Sequence, residues 1–279
     1  MRPSEWIQVV VCSYFVALAW MCPLPMHRRV RVCAMGIAAA MATVGCARLL
    51  PHFAAPLTVS VARDWLPAGL VLPVYWQAGA FFVRVDQRFQ DRLERFDERI
   101  TGPMFRWIAH LRAGRWIAAC LELAYLLCYP MVPMSLGALY LLRLGRHADY
   151  FWTVALVSTY VSYCVLPFLQ TLPPRKLHEP WLVPLPPNEV RTFNLWILRH
   201  GSIHANTFPS AHVAASVSAA LVVATLAPWP VGLAFAVIAT GIALGTFAGR
   251  YHYAADSIAG CVVAGLVFLG KVLLAGLPR

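Results

Sequence analysis

Apolar residues fall in long, nearly uninterrupted runs, and polar residues collect between them. Apolar runs of about 18 or more residues read as membrane-crossing helices, because backbone groups in lipid must hydrogen-bond within their own segment. Eight segments are predicted, at roughly 6–22, 30–50, 66–83, 117–142, 150–172, 211–228, 231–249 and 253–274. The third is the weakest: Pro67 and Pro73 are expected to kink it, and a partial span is the alternative. A soluble helical core needs polar faces at helical period, and most of the eight lack them. The pattern predicts an all-α polytopic membrane helical bundle.

Two stretches between the runs have a different texture. From Asp86 to Asp97 the chain has helical propensity, with Phe89, Leu93 and Phe96 at i, i+4 and i+7 among charges. That is an amphipathic helix lying on the membrane, as a surface anchor or as a lid over a site. Thr171 to Phe208 is rich in proline, which fixes φ and stiffens an extended chain. A short helix is predicted to start near Asn188 and Glu189, with Phe193, Trp196 and Ile197 as its buried stripe. The expected division is 1–115, N-terminal spans with the interfacial helix, and 116–279, a catalytic membrane unit with a six-helix core.

Composition agrees. The 279 residues are 60% hydrophobic and 13% charged, with a mean hydropathy of +0.64. Eight cysteines lie scattered through apolar runs with no CxxC pair. They read as inert thiols, and neither zinc nor a disulfide framework is suggested. The apolar run after Met1-Arg2-Pro3-Ser4-Glu5 ends without a small-x-small cleavage site, so it reads as a retained first span. The formal net charge of +11 comes mostly from arginines in loops. In a membrane protein this suits anionic headgroups or a phosphorylated substrate. No motif for nucleic acid is visible.

The polar residues near the C-terminus carry the chemistry. His252 and Asp256 are four apart where the last segment begins, so on a helix they share one face. The carboxylate can then accept from Nδ1 and leave Nε2 bare as a nucleophile or base; the alternative is a pair that only caps the helix. His212 follows Pro209-Ser210-Ala211 at the start of the sixth segment. Ser210 is a good N-cap, and the first-turn N–H groups can bind anions, so the turn holds phosphate oxygens while His212 donates a proton, or is merely a capped helix. Arg175, after Pro173 and Pro174, is a preorganised phosphate fork or an ordinary topology signal. Arg250 has the same ambiguity. The sixth and seventh segments run out and back, so these three clusters meet at one membrane face. Together they supply cations, N–H donors, a nucleophile and an acid, as chemistry on a phosphate ester requires.

These residues resemble the type 2 phosphatidic acid phosphatase superfamily, whose pattern is KxxxxxxRP, PSGH and SRxxxxxHxxxD. Here the corresponding pieces are PPR ending at Arg175, PSAH at 209–212 and HYAAD at 252–256. The resemblance covers roughly 117–274. It implies that His252 attacks phosphorus to form a phosphohistidine, that Asp256 orients it, and that His212 protonates the departing oxygen. Arg175 and the Ser210 turn hold the phosphoryl oxygens, without metal or other cofactor. There are departures. The family lysine falls on Phe168, its PSGH glycine on Ala211, and its serine–arginine pair on Gly245 and Thr246. Arg250 or Lys176 is then the replacement for the missing charge. The PSAH and HYAAD pieces look more like the inositol phosphorylceramide synthase branch, in which a phosphoryl-alcohol group passes to a lipid hydroxyl instead of water.

Three functions are therefore in competition. The first is a lipid phosphatase or phosphotransferase acting through phosphohistidine, and the second is the lipid-to-lipid transferase. A non-enzymatic transporter or lipid-binding protein, with His212, His252 and Asp256 as a proton relay or metal site, is the third. In each case the partners are a phosphorylated lipid and the membrane. Glu122, inside the fourth segment, is either functional or paired with a structural arginine. His204 and Asn206 read as headgroup contacts or as solvated loop. Eight crossings put both termini on one side with seven of the 23 lysines and arginines (Arg2, Arg48, Arg63, Arg143, Arg146, Lys271, Arg279). The positive-inside rule then argues for a cytoplasmic site. The resemblance implies an extracytoplasmic one in the plasma (inner) membrane, and that is the expectation adopted.

Overall fold

The computed structural model describes residues 1–110, 114–177 and 186–277, with backbone alone over 104–110. It is an all-α polytopic bundle. Helices α1 (Pro3–Met21), α2 (Met26–Arg48) and α3 (Pro56–Gly79) open the chain, and α4 (Gln87–His110) follows. Then come α5 (Gly114–Leu126), α6 (Cys128–Leu141), α7 (Ala148–Val165) and α8 (Glu189–Gly201). Finally α9 (Ala211–Leu226), α10 (Trp229–Ala248) and α11 (Ala254–Ala275) close the bundle. Among the described residues the only strand-like pairing is one bridge between Thr171 and Asn206.

Each of the eight expected segments corresponds to a helix or a bent helix pair. Five helices, α1, α2, α3, α10 and α11, are long and apolar enough to cross a membrane alone. The pair α5 and α6 passes the same test as one span bent by 58°. Pro130 and Pro133 lie just past the bend, where each removes an N–H and crowds the preceding turn. Helix α9 is apolar but has 16 residues, a rise of about 24 Å. It runs through the middle of the bundle against α6, α7, α10 and α11. Its buried Ala211, Ala214, Ser216, Ser218, Ala219 and Ala220 let those neighbours approach closely.

The third segment departs from expectation. It is one continuous helix from Pro56, not a partial element starting at 66. Arg63 and Asp64 look like a polar boundary in the sequence. In the fold, Arg63 makes two hydrogen bonds to the buried Glu5 of α1, at 2.6 and 2.9 Å. Arg2 pairs with Asp64, whose other oxygen accepts from the Tyr140 hydroxyl at 2.5 Å. Neutralised in this way, the charges stay inside a helix. Pro56, at its first turn, needs no N–H partner.

One polar-faced helix also differs from the sequence reading, and a second shows how it docks. On α8 the buried side chain is Asn194, while Phe193 and Trp196 are half exposed and stacked on each other at 5.9 Å. Of the expected stripe of Phe193, Trp196 and Ile197, only Ile197 is turned partly inward. Glu122 in α5 needs polar partners, and α8 turns its polar side to supply them. On α4 the buried positions are Gln90, Leu93, Asp97 and Thr101, and Phe96 is exposed. That helix docks on the start of α11: Asp97 Oδ1 accepts the Ala254 N–H at 2.7 Å. Gln90 Oε1 accepts the Leu172 N–H at 3.0 Å.

Candidate active site

The end of the bundle opposite the N-terminus gathers four stretches: the 3-10 turn at 174–176, the start of α9, the α10–α11 connection and α8. Each is aimed by backbone bonds. Helix α10 ends with Arg250 in the left-handed region at φ 62°. The Tyr251 and His252 N–H groups both donate to the Thr246 carbonyl, at 3.1 and 3.2 Å. This helix-ending turn usually takes glycine, and a side chain there costs about 1 kcal/mol. It sends Tyr251 and His252 back over the bundle.

Two glycines permit the close approaches. A Cβ on Gly260 of α11 would lie 2.8 Å from the Ser210 carbonyl oxygen. One on Gly245 of α10 would lie 2.3 Å from the Leu121 carbonyl oxygen. Both neighbours are backbone, so neither contact tolerates a side chain without helix movement. The first brings α11 against the start of α9, where the Ser210 N–H donates to the Asp256 carbonyl at 3.0 Å.

The imidazoles of His212 and His252 meet edge to face with centroids 6.0 Å apart. Behind His252, Nδ1 faces Asp256 Oδ2 at 3.3 Å, and that oxygen also accepts the Tyr253 N–H at 2.9 Å. Nearby, Asn206 Nδ2 donates to the Thr171 hydroxyl oxygen at 3.0 Å. Burial first, and then the Arg175 charge, lower the His252 imidazole to about 3. The ring is therefore neutral across the physiological range, the form in which a nitrogen lone pair is available.

Arg175 is anchored twice. Its N–H donates to the Arg250 carbonyl at 3.0 Å, and its Nη1 to the Tyr251 carbonyl at 3.1 Å. Its charge reaches both imidazoles. Ser210 caps α9, and its Oγ accepts the Val213 N–H at 3.5 Å. His252, His212, Asp256, Arg175 and Ser210 are thus brought together. Arg250 and Lys176 point elsewhere. Arg250 Nη1 donates to Thr101 of α4 at 3.4 Å, and its nearest opposite charge is Asp97. Burial holds the Asp97 carboxyl up at about 7. Lys176 Nζ donates to the His204 carbonyl at 3.0 Å.

Glu122, read from the sequence as functional or as paired with a structural arginine, has that arginine in Arg191. That carboxylate is fully buried. It accepts from Arg191 Nη1 at 2.5 Å, from Asn194 Nδ2 at 2.8 Å and from the Tyr251 hydroxyl. Tyr251 stacks on Tyr125 at 3.7 Å, and Tyr125 meets His212 edge-on at 6.0 Å. The available signal was Glu122 itself: an intramembrane carboxylate demands a cation, and Arg191 begins the one helix that reaches it. Asp97 carried no comparable signal, since acidic residues abound on α4.

The family model described as the PAP2 superfamily matches residues 91–270. No curated protein and no solved structure matches the chain.

Proposed function

The chain belongs to the PAP2 superfamily, and from that premise we propose that it cleaves or transfers a phosphoryl group on a lipid through a covalent histidine intermediate. The observation that carries this reading is the facing imidazole pair with Asp256 behind one ring and Arg175 beside both.

Nε2 of neutral His252 attacks phosphorus, and the bond from phosphorus to the leaving oxygen breaks. His212, protonated in the substrate complex, gives its proton to that oxygen, and the lipid alcohol departs. Asp256 holds Nδ1–H and stabilises the positive charge on the phosphorylated ring. Arg175 and the first-turn N–H groups of α9 hold the phosphoryl oxygens as charge builds on them. His212, now neutral, takes the proton of an incoming water or alcohol, whose oxygen attacks phosphorus and breaks the P–N bond.

Transfer to a lipid hydroxyl is the second reading, and the cation count favours it. At the two family positions for further cations stand Phe168, exposed on the surface, and Thr246, whose hydroxyl donates to the Ile242 carbonyl at 2.6 Å. With Arg175 the one guanidinium among the described residues acting on both rings, the site matches a singly charged diester better than a dianionic monoester. The test is incubation of purified protein with a panel of phosphorylated lipids, with and without a lipid alcohol, reading free phosphate and new lipid products. Vanadate should block turnover and a chelator should not. His252→Ala should abolish it in every arm, and substantial residual turnover would refute the assigned role.

A further inference from the structure

A cavity of about 320 Å³ opens from the side of His212 that faces away from Asp256 and runs between α3, α6, α7, α8 and α9. Its wall is mostly carbon. Several of its polar groups are occupied within the protein. The Tyr75 hydroxyl accepts the Ile203 N–H at 3.0 Å, Thr159 donates to the Ala155 carbonyl at 2.7 Å, and the Trp152 indole donates to the Asp64 carbonyl at 2.6 Å. A polar guest would find few free partners there, whereas a hydrocarbon needs none.

Helix α3 contributes Ala68, Val71, Leu72, Tyr75 and Trp76, the i, i+3, i+4, i+7, i+8 face of one helix. Leu72 and Trp76 are about half exposed, so the cavity communicates with the lipid-facing surface there. At its inner end stand His212 and Tyr129. None of α3 lies within the matched residues 91–270.

We propose that this cavity holds one hydrocarbon chain of the lipid whose oxygen His212 protonates, and that α3 sets the chain length accepted. The proposal rests on the phosphoryl-transfer reading, because that reading puts the leaving oxygen at His212 and therefore starts the attached carbon chain at the His212 end of the cavity. The volume is at the small end for ligand pockets, which suits one chain and not two.

The test uses the full chain in detergent with two graded series, butyl to hexadecyl: n-alkyl phosphates and n-alkyl phosphoglycerols. Release of the n-alkanol is the readout, since it is the leaving group in both. The wild type should prefer the longer members. Val71→Trp should lower kcat/KM for the hexadecyl compounds at least tenfold relative to the butyl ones, and the smaller change Leu72→Phe should act in the same direction. Leu57→Trp, on α3 but outside the cavity and 76% exposed, should keep the wild-type profile. Equal losses at every length in Val71→Trp, or the same profile as Leu57→Trp, would overturn the proposal.

A second measurement needs no variant to fold. A hexadecyl phosphate with a terminal diazirine should label the α3 peptide containing Val71 and Leu72, with competition by unlabelled hexadecyl phosphate. Labelling spread over all lipid-facing helices means that ordinary bilayer lipid fills the cavity, and overturns the proposal even where turnover stands. Competable α3 labelling without alkanol release from any compound overturns the phosphoryl-transfer reading and leaves the hydrocarbon site standing.

Discussion

Glu122→Ala should be among the most damaging single substitutions outside the reacting groups. The carboxylate is fully buried and accepts from three side chains on two other elements: Arg191 and Asn194 of α8, and Tyr251 of the α10–α11 connection. Removing one partner of a buried ion pair costs about 3–5 kcal/mol. Each neutral donor left unpaired adds about 1–3 kcal/mol. These contributions do not add in full. The Arg191 side chain is 18% exposed, so it can turn toward water or headgroups, and the Tyr251 hydroxyl can follow. We therefore set Glu122→Ala at about 4 kcal/mol and Glu122→Gln at about 2 kcal/mol. Unfolding of the purified protein by graded SDS in mixed micelles, followed by tryptophan fluorescence, measures both. The double variant Glu122→Leu/Arg191→Leu should cost less than the sum of the two single changes by at least about 1 kcal/mol, the signature of partners in direct contact. Activity adds a second readout. Tyr251 is tethered by its hydroxyl to Glu122 and by its carbonyl to Arg175, so Glu122→Gln should lower kcat by roughly ten- to a hundredfold through misplaced cation and nucleophile. A loss of stability under about 1 kcal/mol for Glu122→Ala, or full additivity in the double variant, would refute the network.

Two further outcomes are expected. Gly260→Ala places a methyl 2.8 Å from the Ser210 carbonyl oxygen, so α11 must back away from α9 and turnover should drop at least roughly tenfold; unchanged kinetics would show that the two helices do not pack so closely. The His252 ring, lowered to about 3, should give neutral-imidazole ¹⁵N resonances in the substrate-free protein at pH 5, and a ring that protonates near its ordinary value would refute the buried placement beside Arg175.

The bundle was legible in the sequence because long apolar runs mark helices wherever they occur. The spacing of His252 and Asp256 suggested a shared helical face, but α11 starts at Ala254, so His252 stands in the turn before it and is aimed by the bond from its N–H to the Thr246 carbonyl. The start of α3 was hidden because its evidence is not local. Arg63 and Asp64 read as a boundary until Glu5 and Arg2, on another helix, are placed against them. Charge in a membrane segment ends a span only where it lacks a partner.

Helix α8 departs in a more instructive way. Its period was correct and its sign was not. In a soluble protein the apolar face of a helix turns inward, because water lies outside. Helix α8 lies against a membrane protein, and the inside of the bundle there contains Glu122, which must be paired; the outside is available to lipid. So Arg191 and Asn194 turn in, and Phe193 and Trp196 turn out. Helix α4 buries both kinds of residue: Leu93 is buried and Phe89 meets Phe208 edge-on at 5.1 Å, Asp97 goes to the start of α11 and Thr101 to Arg250, while Phe96 and Ile100 stay on the surface. Both helices flank the turn that carries His252, and both reach it through polar side chains. The polar side chains hold the turn that carries His252, and the exposed apolar residues of both helices remain to face the membrane surface.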